Sequence, residues 1–227
     1  IAVAKNLNKR FATDYNENNI FMTCGAAASL NIIFKAIIES DDDEIIVNIP
    51  YFPEYKVFIE GEGGKPIFAK CSENLHLDID EIESKINENT KAVLINSPNN
   101  PSGVIYPKEN LEALAELLKQ KQKEYSHPIF LISDEPYREL VFTNEKPEFL
   151  PNIYDNTLVA YSWSKSLSLP GERIGYILVP NKVKSHEDVF AAVGGAARVL
   201  GYVCAPSMFQ YVIKNCVDAQ PNIEVYR

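Results

Sequence analysis

Along the chain, short β-branched apolar runs alternate with longer stretches in which apolar residues recur every three or four positions. The runs predict strands at 20–23, 45–48, 66–69, 92–96, 129–133, 157–161 and 174–179. Several, such as Ala92-Val93-Leu94-Ile95, are apolar throughout rather than alternating, which is the pattern of a strand covered on both faces. Helical spacing predicts helices at 27–39, 54–60, 79–86, 108–123, 186–199 and 207–217, and the opening stretch 2–15 also reads as helix. Within 108–123, Leu111, Leu114, Ala115, Leu117 and Leu118 share one side, with Glu, Lys and Gln on the other, so this helix should lie over a sheet. The alternation predicts an α/β fold: a three-layer α/β/α sandwich around a mostly parallel sheet of about seven strands. No internal repeat breaks the pattern, and the acidic run 41–44 reads as a solvated loop.

Composition narrows the class of protein. The 227 residues are 46% hydrophobic and 23% charged, which excludes a disordered chain, a collagen and a disulfide miniprotein. No apolar run approaches the roughly 18 to 20 residues of a membrane span, and no signal peptide opens the sequence, so no membrane is expected. The net charge of −9 argues against nucleic acid and anionic lipid as partners, but a local site can still hold a small anion. Cys24, Cys71, Cys204 and Cys216 show no CxxC spacing. They read as reduced, mostly buried thiols of a cytoplasmic protein. His76, His127 and His186 are scattered and read as surface or loop residues, and no metal site is expected.

In a sheet of this kind ligands bind at the carboxyl ends of the strands. Four strand ends carry unusual residues. Thr23-Cys24-Gly25-Ala26-Ala27 turns a strand into a helix with small side chains, which is either a structural turn or a seat for an anion at a helix N-terminus. Asn96-Ser97-Pro98-Asn99-Asn100-Pro101-Ser102-Gly103 is a rigid loop, either a plain turn or a mount for an Asn amide, and Asn100-Pro101 is a plausible cis bond. Asp134 follows an apolar strand, where a carboxylate needs a cationic or hydrogen-bonding partner, and Tyr137 is three residues on. Lys165 stands among Ser162, Ser164, Ser166 and Ser168, with Arg173 eight residues later. An isolated Lys is ordinarily a solvated group, but here it is a candidate Schiff-base amine beside an anion cradle.

The four motifs in this order resemble the fold-type I pyridoxal-phosphate enzymes, specifically the class I/II aminotransferases related to aspartate aminotransferase. The resemblance runs from the Gly25 turn to Ala205-Pro206-Ser207. It implies pyridoxal 5'-phosphate as cofactor and transfer of an amino group from an L-amino acid to a 2-oxo acid. Lys165 would hold the cofactor and carry the proton, and Asp134 would pair with the ring nitrogen. Asn100 and Tyr137 would hold the ring's 3-oxygen. Gly25, Ala26, Ala27, Ser162, Ser164 and Arg173 would bind the phosphate. Phe52 would stack on the ring, with Tyr51 as the alternative. Residues 1–227 would be the large cofactor-binding domain, with the N-terminal arm and C-terminal small domain apparently absent and residues 223–227 leading toward the latter. A homodimer is expected on the same ground.

Other readings stay open. The same cofactor site could serve a C–S lyase, a racemase or a decarboxylase. An aminotransferase-like domain could instead act as a non-catalytic pyridoxal-phosphate sensor. Arg198 is either a surface residue on a helix or an arginine that reaches a dicarboxylate substrate across a dimer.

Overall fold

The computed structural model describes residues 1–222 and 225. Its centre is one seven-stranded sheet in the order β1-β7-β6-β5-β4-β2-β3. The strands are β1 (Ile20–Thr23), β2 (Glu44–Asn48), β3 (Lys65–Ala69), β4 (Thr90–Asn96), β5 (Phe130–Asp134), β6 (Thr157–Ser162) and β7 (Gly175–Leu178). The β3-β2-β4-β5-β6 block is parallel, and β7 runs antiparallel to both β6 and β1. One reversed strand has a consequence for position. The residues that precede β7 arrive at the same edge of the sheet as the carboxyl ends of β1, β4, β5 and β6.

The unbroken apolar runs follow from coverage on both faces. In β4, Ala92 and Leu94 pack toward α2 (Ala26–Ile37) with Ile33 and Phe34. Val93 and Ile95 pack the other way, toward α5 (Lys108–Glu124) with Leu111, Leu114 and Leu118. Each such leucine, fully buried, contributes about 1.5 to 3 kcal/mol. The helices α3 (Glu54–Gly61) and α6 (His186–Val199) join α2 on the first face. The second face is completed by α4 (Ile79–Lys85), and by α1 (Ala2–Phe11) and α7 (Ser207–Cys216) over Val159, Tyr176 and Leu178.

Several expectations need correction. The first helix stops at Phe11 rather than 15, with Ala12 left-handed at φ 54°. Beyond it, Asn8 takes over the backbone: its Oδ1 accepts from Tyr15 N–H at 2.7 Å and its Nδ2 donates to Tyr15 O at 2.8 Å. The run 41–44 is not wholly solvated. Asp43 is buried, and its carboxylate accepts from the backbone of Glu39 (2.6 Å) and Ser40 (3.1 Å), closing the turn into β2. The four cysteines are free, but none is fully buried: three are half-buried and Cys204 is exposed, on the loop before α7. His186 is not in a loop but opens α6, half-buried. Residues 223, 224, 226 and 227, expected to lead toward a small domain, lie outside the described residues. Among the described residues, no helix is long and apolar enough to cross a membrane.

Candidate active site

The register of the sheet brings the four sequence motifs to one edge. Asn96 pairs with Asp134, Asp134 with Ala160, and Ser162 and Thr23 both with Gly175. A cleft of about 220 Å³ opens there. Its walls include Ala26 and Ala27, Phe52, Asn100, Asp134 with Tyr137, and the Ser162, Ser164, Lys165 and Arg173 group.

Each wall has a local cause. Gly25 starts α2 at φ 96°, a conformation that needs glycine, and no side chain caps the helix. The first N–H groups of α2 therefore have no capping partner, and the Ala26 and Ala27 methyls leave them accessible. A Cβ on Gly25 would lie 2.6 Å from Arg173 Nη2. Arg173 itself is held at φ 51°, with its guanidinium donating to Pro170 O (2.7 Å) and Cys24 O (3.0 Å). Gly175 permits the close approach of β7: a Cβ there would meet Tyr161 O at 2.3 Å and Gly25 Cα at 2.9 Å. The cationic end of the cleft thus depends on two glycines whose backbones touch.

Asp134 forms the opposite pole. It ends β5 rather than following it, is buried, and is pushed up to about 7 mainly by that burial, with Glu135 adding and a hydrogen bond opposing. The opposing bond is from Tyr55 OH to Asp134 Oδ2, 2.6 Å, inside the protein. Among the described residues Asp134 Oδ1 has no hydrogen-bond partner, which leaves an open acceptor at the floor of the cleft. Tyr137 is half-buried, and its hydroxyl is raised by burial and by Asp134, with a hydrogen bond to Asn100 acting the other way. The Asn100 loop is pinned from below. Asn100 N–H donates to Asn96 Oδ1 (2.6 Å), and Asn96 Nδ2 donates to Asp134 O (2.8 Å). The Asn100–Pro101 bond is cis, as are Ser97–Pro98 and Ile49–Pro50. Lys165 is exposed at the mouth, with Nζ 5.8 Å from the centre of the Tyr137 ring.

Nearly all residues singled out in the sequence gather here. Gly25 adjoins the cleft through Arg173 rather than lining it. Phe52 lines it and Tyr51 does not, because the Tyr51 ring stacks on Phe68 instead, centroids 5.0 Å apart. Arg198 is exposed in the last turn of α6 and is not part of the lining. Sequence reasoning missed Leu30, Tyr55, Asn96, Pro136 and Pro170, which also line the cleft. Tyr55 had only a weak signal, its spacing of three residues from Phe52, which precedes α3; the fold brings the two rings together, centroids 5.5 Å apart. Among the described residues, no group of three or more His, Cys, Asp or Glu is placed to hold a metal ion.

A mostly parallel sheet covered on both faces, with a bare helix start beside an arginine, an exposed lysine and a buried carboxylate at its strand ends, defines an α/β protein whose cleft suits a small polar ligand. The chain belongs to the class I and II aminotransferases: residues 2–226 match that family. It is 34% identical over 187 residues to a probable aspartate/prephenate aminotransferase of Aquifex aeolicus, covering 80% of this chain and 46% of that protein. It is 33% identical over 181 residues to an aspartate aminotransferase of Bacillus subtilis, covering 77% and 44%. Among solved structures, an amino transferase from Eubacterium rectale superposes with a TM-score of 0.96 and 51% identity, over 99% of this chain and 57% of that one. The aspartate aminotransferase of Thermotoga maritima gives 0.84 and 29%, over 96% and 56%. The chain thus spans about half the length of the relatives it matches.

Proposed function

We propose that the protein carrying this chain is a pyridoxal-phosphate-dependent aminotransferase that moves the amino group of an L-amino acid to a 2-oxo acid. Residues 1–227 make up its large, cofactor-binding domain. The observation that carries the reading is Asp134 Oδ1, a buried acceptor without a partner among the described residues, at the floor of a cleft whose rim bears a lysine and an arginine. A protonated ring nitrogen would satisfy that oxygen, and a phosphate suits the bare start of α2 beside Arg173. The donor set therefore fits pyridoxal phosphate.

When bound, that cofactor supplies an electron-accepting ring for the pair left as a substrate Cα–H bond breaks. The rest is the work of this chain. Asp134 would hold the proton on the ring nitrogen by its negative charge. Asn100 Nδ2 and the Tyr137 hydroxyl would donate to the ring's 3-oxygen. Phe52 would cover a face of the ring. The N–H groups of Ala26 and Ala27, the hydroxyls of Ser162 and Ser164, and the Arg173 guanidinium would bind the phosphate, with Gly25 leaving room for Arg173. Lys165 Nζ would hold the cofactor covalently, and the same amine, when free, would serve as the base that takes the proton from the substrate Cα and as the acid that gives it up again.

The protein is proposed to act as a cytoplasmic homodimer. Its relatives are named for aspartate, so aspartate is the first donor to test. The experiment is an absorption spectrum of the full-length protein with pyridoxal phosphate, before and after borohydride, beside Lys165→Ala. The expected result is a cofactor band that borohydride fixes to the wild type and not to the variant, and release of an oxo acid when an amino acid is added. A wild type that takes up no cofactor overturns the reading. Cofactor uptake with elimination products and no oxo-acid acceptor dependence would make it a lyase instead.

A further inference from the structure

The segment that lines the cleft has a second face. Asp134 and Tyr137 turn into the cleft, whereas Glu135, Arg138 and Glu139 turn away from it, into a buried polar cluster. Arg138 Nε donates to Glu135 Oε2, and Nη2 faces the same carboxylate. Ser133 Oγ donates to Glu135 Oε1 at 2.6 Å, and Arg138 Nη1 donates to Tyr176 OH at 3.2 Å. The guanidinium lies 4.8 Å from the centre of the Tyr161 ring. Tyr161 OH is 2.9 Å from Glu139 Oε2 and 2.9 Å from Ser166 Oγ. Arg10 Nη1, from α1, donates to Glu139 Oε1 at 2.8 Å.

The direction of the last link follows from donor counting. An ionised carboxylate only accepts, so the single Tyr161 O–H goes to Glu139. Ser166 must then donate to Tyr161. Ser166 is the chain neighbour of Lys165, on a turn that its own backbone holds weakly. Leu167 N–H reaches Trp163 O at 3.3 Å, Ser168 N–H reaches Lys165 O at 3.2 Å, and Leu169 N–H reaches Trp163 O at 3.4 Å, all longer than usual. Ser166 is buried in that turn, as is Trp163, and it is the buried residue next to Lys165. Stability alone is a poor reason for such a cluster, because buried ion pairs often contribute less than apolar residues of the same volume.

We infer that Ser166 and Tyr161 are positioning residues, which aim Lys165 at the cleft by tying its turn, through Glu139, to the segment that carries Asp134 and Tyr137. The inference rests on the proposed function, since it assigns Lys165 a bond to the cofactor. It has a consequence that a general structural role lacks. Pyridoxal phosphate bonds to the lysine and pyridoxamine phosphate does not, so a misaimed lysine weakens the first only.

The test measures the dissociation constants of both cofactor forms for the full-length protein, wild type and variants. Ser166→Ala and Tyr161→Phe should each weaken pyridoxal phosphate about three- to tenfold, the worth of one hydrogen bond, and leave pyridoxamine phosphate unchanged. The double variant should resemble the singles, because both remove the same link. Ser166→Thr, which keeps the hydroxyl, should restore the affinity. Equal weakening of both forms, or no weakening of either by Ser166→Ala, overturns the inference, and Ser166→Ala decides it alone if Tyr161→Phe fails to fold. Failure of the proposed function would look different: the wild type itself would show no borohydride-fixed cofactor.

Discussion

The two faces of the segment 133–139 use the same chemistry to opposite ends. On the inner face, the Glu135 and Arg138 charges meet each other and a ring of hydroxyls. On the cleft face, Asp134 has one oxygen bonded to Tyr55 and the other left open. Both carboxylates are buried, Asp134 with 5% and Glu135 with 4% of its surface exposed. Burial therefore does not distinguish them; the supply of partners does. A closed cluster locks a loop in place, and an open acceptor leaves a site that a ligand must complete.

The comparison can be broken most sharply at the mouth of the cleft. Lys165→Ala should abolish fixation of the cofactor by borohydride and lower turnover by at least about 10²- to 10⁴-fold. Its melting temperature should stay near that of the wild type, because the side chain is exposed. A large loss of stability would mean that Lys165 belongs to the structural face after all.

Next is the pH dependence of stability without cofactor. Asp134 stands at about 7 in the folded protein against an ordinary 3.8, so the folded state favours its protonated form. This contribution is fully present below about pH 4 and is lost as pH rises through about 7, where it levels off. The gap between 3.8 and about 7 corresponds to roughly 4 kcal/mol. Asp134→Asn should flatten that slope, and saturating pyridoxal phosphate should reduce it, since a cationic ring nitrogen favours the ionised carboxylate. Denaturant titrations at several pH values, with and without cofactor, check both.

The two touching glycines separate architecture from binding. Gly175→Ala puts a Cβ against backbone atoms that cannot swing away, and should cost about 3 kcal/mol. Gly25→Ala is strained at φ 96° and meets the Arg173 guanidinium, and should cost about 2 kcal/mol, while weakening cofactor binding by displacing the guanidinium. The reverse ranking in thermal melts would show that the strand contact tolerates expansion.

The smallest effect is expected at Tyr55. Tyr55→Phe removes the only side chain that donates to Asp134 among the described residues, and should cost about 1 to 2 kcal/mol above pH 7. It should also move upward the pH at which the stability slope levels off. An unchanged profile would show that Tyr55 merely packs.

Much of the site was legible because its chemistry is local. Each strand end is a short run in which Gly, Pro, Asn or Ser leaves the backbone few choices, and Lys165, Asp134, Asn100 and Arg173 sit inside such runs. Tyr51 and Phe52 could not be told apart in this way. Both precede α3 in irregular backbone, where no period fixes a direction, and only packing on Phe68 decides which one turns from the cleft. The polar cluster behind the cleft was invisible for a related reason. Glu135, Arg138 and Glu139 look like a charged surface turn, and their burial depends on Tyr161, Tyr176 and α1, which come from distant parts of the chain.

By itself, the sequence determined the layered α/β architecture, the approximate strands and helices, and the four polar strand ends, because period, apolar runs and turn residues act over a few positions. Only the tertiary structure decided the reversal of β7, which delivers Arg173 to the cationic end of the cleft. It also decided the partnership of Tyr55 with Asp134, and which side of a charged loop closes on itself. Those depend on which segments meet in space, and a carboxylate's charge, donors and burial are properties of that meeting rather than of its neighbours along the chain.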